Sequence, residues 1–304
     1  MNAEIYYRRI VGILQPARLQ NTRVIVVGLG SGGSRIAIEL GRIGVELVLV
    51  DLPNERVEEH NIIRFPLGYP VLGQLKNEAV ASHLRDLNPA SRVTTVNLDV
   101  TTQQKEFLAL VRSVSPQLIM VCVDNEPARH CINECAVAAG VPQVAGGVYD
   151  GGIGGEVTIA SPQAACYACI ADHLQLTRQA PVKPRSIDYN NLDVAEIQST
   201  CALNLDIEQI ALIQARIGLH ILLAGDPDLT GIPRTVNLCV FCNRPLTGDV
   251  VLGRPLHCEF FSVPRDPECL VCGASSTTVS SEANRILHAL EAQAQHTATV
   301  NPTE

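Results

Sequence analysis

Residues 23–27, Arg-Val-Ile-Val-Val, lead straight into Gly28-Leu29-Gly30-Ser31-Gly32-Gly33, and a second apolar run, residues 47–50, ends on Asp51. Between them Ile36, Ala37, Leu40 and Ile43 recur at helical spacing, and Gly44 is placed to end that helix. Strand, glycine turn, helix and strand in this order form a βαβ unit, which restricts the chain to a sheet with parallel strands joined by crossover helices.

The same order predicts further elements. Helices are expected over residues 77–87, around 105–114 and over 126–139, and strands over 93–96 and 117–123, giving a doubly wound pattern. A short strand begins at residues 141–144. The glycine-rich stretch 146–155 is expected to turn into a strand at 156–160. Residues 172–199, with Pro181, Pro184, Asp188, Asn190 and Asn191, predict a long loop. A helix over 206–223, two strands around 235–243 and 256–263, and a helix over 282–293 capped by Ser281 follow, with 297–304 frayed. The fold class is thus α/β: a doubly wound, Rossmann-like, mainly parallel sheet, with a C-terminal part in which Cys166-x-x-Cys169 and Cys269-x-x-Cys272 are expected to bind zinc. The expected organisation is an N-terminal arm (1–22), a nucleotide-binding half (23–165), the knuckles, crossover loop and remaining sheet of the same domain (166–280), and a terminal helix and tail (281–304).

A strand-to-helix turn rich in glycine presents backbone N–H groups and the helix dipole to a phosphate, and an acid at the end of the second strand accepts from a ribose hydroxyl. Gly28, Gly30, Gly33 and Asp51 are therefore cofactor-binding candidates. Alone they serve NAD as well as ATP, and a tight turn without ligand is the plain alternative. Asn61, Arg64, Lys76 and Asp124 follow the glycine turn in order. An oxyanion attacking an α-phosphate needs cations and hydrogen-bond donors around the phosphates and a carboxylate to hold Mg²⁺. Singly, Arg64 and Lys76 read as solvated side chains and Asp124 as a turn former. Together they point to ATP.

Eleven cysteines in a chain without an apolar signal core at residues 1–9 favour thiols and metal over disulfides. Cys166-Tyr167-Ala168-Cys169 and Cys269-Leu270-Val271-Cys272 are two Cys-x-x-Cys knuckles, the spacing of a closed, structural Zn²⁺ site. Cys239 and Cys242 have the same spacing but lie in an apolar run without turn residues, whereas Asp266-Pro267-Glu268 provides a turn before Cys269. Cys201, between the long loop and a helix start, reads either as a nucleophile with a lowered pKa or as a small buried residue. Cys122, Cys131, Cys135 and Cys258 are assigned to the core, and His60 to a structural role.

These ordered motifs resemble the ThiF/MoeB/HesA group, bacterial relatives of ubiquitin-activating enzymes, over residues 5–273. The resemblance implies ATP-dependent adenylation of the C-terminal carboxylate of a ubiquitin-like or sulfur-carrier protein. It implies that Gly28, Gly30 and Gly33 line the nucleotide, that Asp51 holds the ribose, that Asn61, Arg64 and Lys76 meet the phosphates, and that Asp124 holds magnesium. Residues 5–10 match a signature in which an arginine, here Arg8, enters the partner subunit's site, so a homodimer is expected. Asp266–Gly273 resembles the family's closing zinc motif. Thr200-Cys201 matches a cysteine that takes the activated carboxylate as a thioester in ubiquitin-activating members and has another or dispensable role in sulfur-carrier members. A conjugating enzyme or a sulfur donor would be a further partner. Where the family often has Asp-x-Asp, residues 51–55 are two residues longer, with Glu55 in the second acidic place.

The formal charge of −8 gives no general attraction to nucleic acid or anionic membrane. The apolar stretch 207–224 is broken by Gln209, Gln214, Arg216 and His220, so a cytoplasmic protein that spans no membrane is expected. Two other classes fit part of the pattern. An NAD-dependent oxidoreductase leaves Arg64, Lys76 and the knuckles unexplained, and a non-catalytic adaptor would bind a carrier without turnover.

Overall fold

A computed structural model describes residues 3–19, 21–177, 202–224, 235–246, 249 and 251–273. Its frame is an eight-stranded sheet of order β3-β2-β1-β4-β5-β6-β7-β8. Strands β1 (Arg23–Val27), β2 (Glu46–Asp51), β3 (Val93–Asn97), β4 (Leu118–Val121) and β5 (Gln143–Val148) are parallel. β6 (Gly154–Ala160), β7 (Leu238–Cys242) and β8 (His257–Phe261) continue the sheet antiparallel. The mainly parallel sheet therefore carries a three-stranded antiparallel edge.

Helices cover both faces, because the central strands are apolar on both sides and each face has to be buried. α2 (Ser31–Arg42), α4 (Lys76–Leu87) and α8 (Asn204–Leu222) close one face around Leu40, Leu47, Leu49, Leu84, Ile210 and Ile217. α5 (Gln104–Val114), α6 (Glu126–Ala139) and the start of α7 (Tyr167–Thr177) close the other around Ile25, Val50, Phe107, Ile119 and Ile132. Two short helices, α1 (Ala3–Tyr7) and α3 (Glu59–Ile62), lie outside these layers. α1 packs at the end of α2, where the Tyr7 hydroxyl accepts from Asn88 Nδ2 at 3.0 Å and Tyr6 donates to the Arg42 carbonyl.

Two expectations are corrected. The glycine-rich stretch 146–155 is not one turn, since β5 runs through Gly146 and Gly147 to Val148 and the chain reverses only at Asp150–Gly152. These are strand glycines demanded by close approach: a Cβ on Gly146 would lie 2.3 Å from Gln214 Oε1, and one on Gly154 would lie 2.1 Å from the Phe241 carbonyl oxygen. The predicted loop 172–199 begins as helix, because α7 extends to Thr177, and its remainder lies outside the described residues. So do Cys201, the helix expected at 282–293 and the tail. Among the described residues no helix is long and apolar enough to cross a membrane.

Candidate active site

Strand order places β1 between β2 and β4, so the chain leaves β1 in one direction and returns on its other side. That switch point opens a crevice at the carboxyl ends of the strands. A cavity of about 820 Å³ fills it and is lined by Gly28, Gly30, Gly33, Asp51, Asn61, Arg64, Lys76 and Asp124. All eight residues picked from sequence as nucleotide, phosphate or magnesium candidates thus converge on one space.

The glycines have separate reasons. Gly28 has φ +88°, and a Cβ there would lie 2.8 Å from the Cys122 carbonyl oxygen. Gly33 lets α2 sit against β1, its Cβ position being 1.9 Å from the Gly28 carbonyl oxygen. Gly30 is the N-cap of α2 with φ −67°, and nothing lies within 4 Å of its Cβ position. The protein itself leaves that space empty, as a phosphate cradle requires. Gly30→Thr, which introduces a side chain able to cap α2, is expected to change folding stability by no more than about 0.5 kcal/mol. The same variant should weaken nucleotide binding by on the order of tenfold through a clash. Gly28→Ala should destabilise by over about 1 kcal/mol, since its backbone conformation excludes a side chain. Urea titration and calorimetry with ATP separate the two, and unaltered ATP affinity in Gly30→Thr would remove the cradle.

Asp51 ends β2 and is buried. Its Oδ2 accepts from Leu29 N at 3.2 Å and its Oδ1 from Leu52 N at 3.0 Å, which ties the acid to the glycine turn. Burial pushes its carboxyl up to about 6, against the two backbone N–H groups and the Lys76 charge, which pull it down. The folded state therefore holds the proton more tightly than the unfolded chain. The stability this contributes is fully present below about pH 4 and is lost as the pH rises through about 6. Asp51→Asn should flatten that dependence and stabilise the ligand-free protein at pH 7 by on the order of 2 kcal/mol, one lost hydrogen bond included, while weakening nucleotide binding. Thermal unfolding from pH 4 to 8 reads the first effect, and an unchanged slope in the variant would contradict it.

Residues 51–58 fold back on residues 73–76. Val57 N donates to the Gln74 carbonyl, Gly73 N to the Val57 carbonyl and Lys76 N to the Glu55 carbonyl, at 2.8 to 3.0 Å. Glu55 thereby meets Lys76 in an ion pair within the cavity lining, and Lys76, the first residue of α4, is buried. Asn61 uses its Oδ1 to cap α3 at Glu58 N, 3.0 Å away. What it can offer a phosphate is its amide N–H pair. Arg64 follows one turn later, its N–H donating to the Asn61 carbonyl at 2.9 Å. Asp124 is exposed in the turn between β4 and α6, just before Asn125, which caps α6 by accepting from Ala128 N at 2.9 Å. An exposed carboxylate at the phosphate side of such a crevice fits a hard cation.

Other lining groups were missed in the sequence. Arg129 is buried, donating from Nη2 to the Gly146 carbonyl at 2.7 Å and from Nε to the Val123 carbonyl at 3.2 Å. Gln214 interrupts an apolar helix, and that was its signal. Its Nε2 crosses from α8 to the Val121 and Val144 carbonyls at 3.0 and 2.9 Å. Glu156 on β6 lines the cavity and accepts from the Tyr149 hydroxyl at 2.7 Å. Cys122, assigned to the core, is half-buried and also lines the cavity; Cys131 and Cys258 are half-buried too, and only Cys135 of those four is fully buried. His60 is an exposed residue of α3 whose Nδ1 lies 3.3 Å from Glu58 Oε2.

Cys166, Cys169, Cys269 and Cys272 form a separate, buried cluster whose sulfurs all lie within 4.8 Å of one another. The closest pairs are 3.9, 3.7 and 3.5 Å apart. Four thiolates about 2.3 Å from a central Zn²⁺ stand ~3.8 Å from each other, so the four sulfurs fit the metal and leave no open position. Cys239 and Cys242 lie on β7 away from it. Cys239 Sγ is 3.2 Å from Cys258 Sγ, and Cys242 donates to the Leu252 carbonyl.

A sequence model of the ThiF family matches residues 4–282. The chain belongs to the ThiF family. Curated relatives include ubiquitin-like modifier-activating enzyme 5 of Culex quinquefasciatus, 32% identical over 162 residues, and that of Dictyostelium discoideum, 31% identical over 162 residues. Each match covers 50% of this chain and 40% or 42% of the relative, so the chain spans less than half the length of these relatives. Among solved structures, E. coli MccB with ATP is 17% identical with a TM-score of 0.64, covering 90% of this chain and 75% of that one. The microcin C7 biosynthetic enzyme MccB in complex with N-formylated MccA gives 17% and 0.65 over 90% and 76%. At that identity the likeness concerns the fold. Arg8 is exposed and does not line the cavity of its own chain.

Proposed function

We propose that the crevice binds ATP and adenylates the C-terminal carboxylate of a ubiquitin-like or sulfur-carrier protein. The carrying observation is the convergence of Arg64, Lys76, Asn61 and the glycine turn on one cavity at the sheet's switch point, in a chain of the ThiF family. The carrier carboxylate is ionised at neutral pH and needs no general base. Its oxygen attacks the α-phosphorus, the new O–P bond forms as the bond to the β-phosphate oxygen breaks, and pyrophosphate leaves with the electron pair. Two anions must meet, so the protein's task is neutralisation and alignment by Lys76, Arg64 and Asn61, with Asp51 anchoring the ribose. Asp124 would hold Mg²⁺, which supplies positive charge to the phosphate oxygens when bound. Relatives named as activating enzymes and an MccB structure with ATP support this reading.

Carrier-dependent exchange of labelled pyrophosphate into ATP tests it. Binding of NAD without ATP would favour the oxidoreductase, and ATP binding without exchange would favour the adaptor. Arg8 serves a neighbouring site in this reading, in a homodimer. Mixing inactive Arg8→Ala and inactive Lys76→Met chains should then restore part of the exchange, and no recovery would remove that role. A thioester on Cys201, followed by transfer to a conjugating enzyme, requires a reducible carrier adduct that disappears in Cys201→Ala. Its absence favours release of the adenylate to a sulfur donor.

A further inference from the structure

Tyr167 lies between two zinc ligands in sequence and touches the lining of the nucleotide crevice with its hydroxyl. It opens α7 directly after Cys166, with its backbone N–H donating to Asn133 Oδ1 on α6 at 2.9 Å. The ring is 4% exposed and packs beside Ala128 and Ile132. Its hydroxyl donates to Glu126 Oε2 at 2.8 Å and accepts from Arg129 Nη1 at 3.3 Å. Glu126 and Arg129 both line the cavity and stand one helical turn apart on α6. Arg129 in turn holds the Val123 carbonyl, one residue before Asp124, and the Gly146 carbonyl within β5.

We infer that Tyr167 is a positioning residue that couples metal occupancy of the Cys166, Cys169, Cys269 and Cys272 cluster to nucleotide affinity in the crevice. The inference rests on reading the crevice as an ATP site. Metal–sulfur bonds to Cys166 and Cys169 fix the first turn of α7 on both sides of Tyr167, and so fix where its hydroxyl stands. A displacement of about 1 Å breaks the 2.8 Å bond to Glu126 and the 3.3 Å bond from Arg129 Nη1, which leaves that buried N–H only the Glu126 carboxylate, 3.7 Å away. Arg129 then resettles, and the two carbonyls it holds move with it. Val123 stands in the turn after β4 and Gly146 within β5, and both line the crevice. Because binding free energies are reciprocal, nucleotide should tighten zinc by the same factor that zinc tightens nucleotide.

The test uses the full chain, zinc-loaded. Calorimetry measures a non-hydrolysable ATP analogue, and competition with a chromogenic chelator measures apparent zinc affinity with and without that analogue. The wild type should hold zinc about fivefold more tightly with the analogue present. Tyr167→Phe keeps the ring and should keep one zinc per chain, yet bind the analogue more weakly and bring the coupling factor close to one. Glu126→Gln, which leaves the phenol an acceptor, should retain more coupling than Tyr167→Phe. A zinc affinity in the wild type that ignores the analogue, or equal coupling in wild type and Tyr167→Phe, overturns the inference. Failure of the wild type to bind the analogue at all removes the ATP reading itself, which is a distinguishable result.

Discussion

Lys76→Met should lower carrier-dependent pyrophosphate exchange by about 10²- to 10³-fold, the cost of removing one preorganised charge from a phosphoryl-transfer site. The side chain is buried at the start of α4 and lines the cavity, so its ammonium acts where water screens little. Its ion-pair partner Glu55 is 41% exposed and can be rehydrated when the lysine is gone. Methionine keeps the length of the stem, and because the carboxylate left behind is not buried, the penalty for breaking a buried pair does not apply in full. The loss should therefore fall on kcat and nucleotide affinity, with the melting temperature held. Full exchange activity from a well-folded Lys76→Met protein would take Lys76 out of the chemistry and leave it as the anchor of the folded-back segment 51–58.

Loss of one zinc ligand should act in the opposite way, on stability first. Cys269→Ser opens a cluster in which four buried sulfurs join α7 to the segment following β8. The apolar core around it is small, with Ala165, Ile170, Leu238, Val240 and Val263 its main members. A metal held a thousandfold more tightly than its free concentration requires contributes about 4 kcal/mol. For a chain of this size that is a fall in melting temperature of roughly 10 °C. Metal analysis should show zinc lost in parallel. A variant that keeps its melting temperature while losing zinc would mean that the cluster is occupied without holding the fold.

All eight strands were legible in the sequence, but where β5 stops and the chain reverses was not. Strands β1 to β5 and helices α2, α4, α5 and α6 are legible because each apolar run and each 3.6-residue period is local, and because caps such as Gly44 and Asn125 stand where the helices stop or start. The glycines of β5 and β6 mislead because a glycine in a tight turn and one beneath a crossing side chain look alike in sequence. Only the position of Gln214 over Gly146 tells them apart. Asp51, Arg64, Lys76 and Asp124 were found from chemistry and order, while Arg129 and Glu156 were not. Their burial depends on α6, β5 and β6 meeting in space, and no residue near them in sequence reports that.

What the sequence determined by itself is the crossover unit, the glycine turn, the four-thiol set and the order of the residues that line the crevice, all of them short-range patterns with a stated chemical reason. The tertiary structure alone decided that the second half of the chain extends the same sheet antiparallel. It alone decided that Glu55 meets Lys76, and that Tyr167 meets Arg129. Those are contacts between segments 21 to 38 residues apart or more, fixed when two layers pack and invisible to any period of two or 3.6 residues.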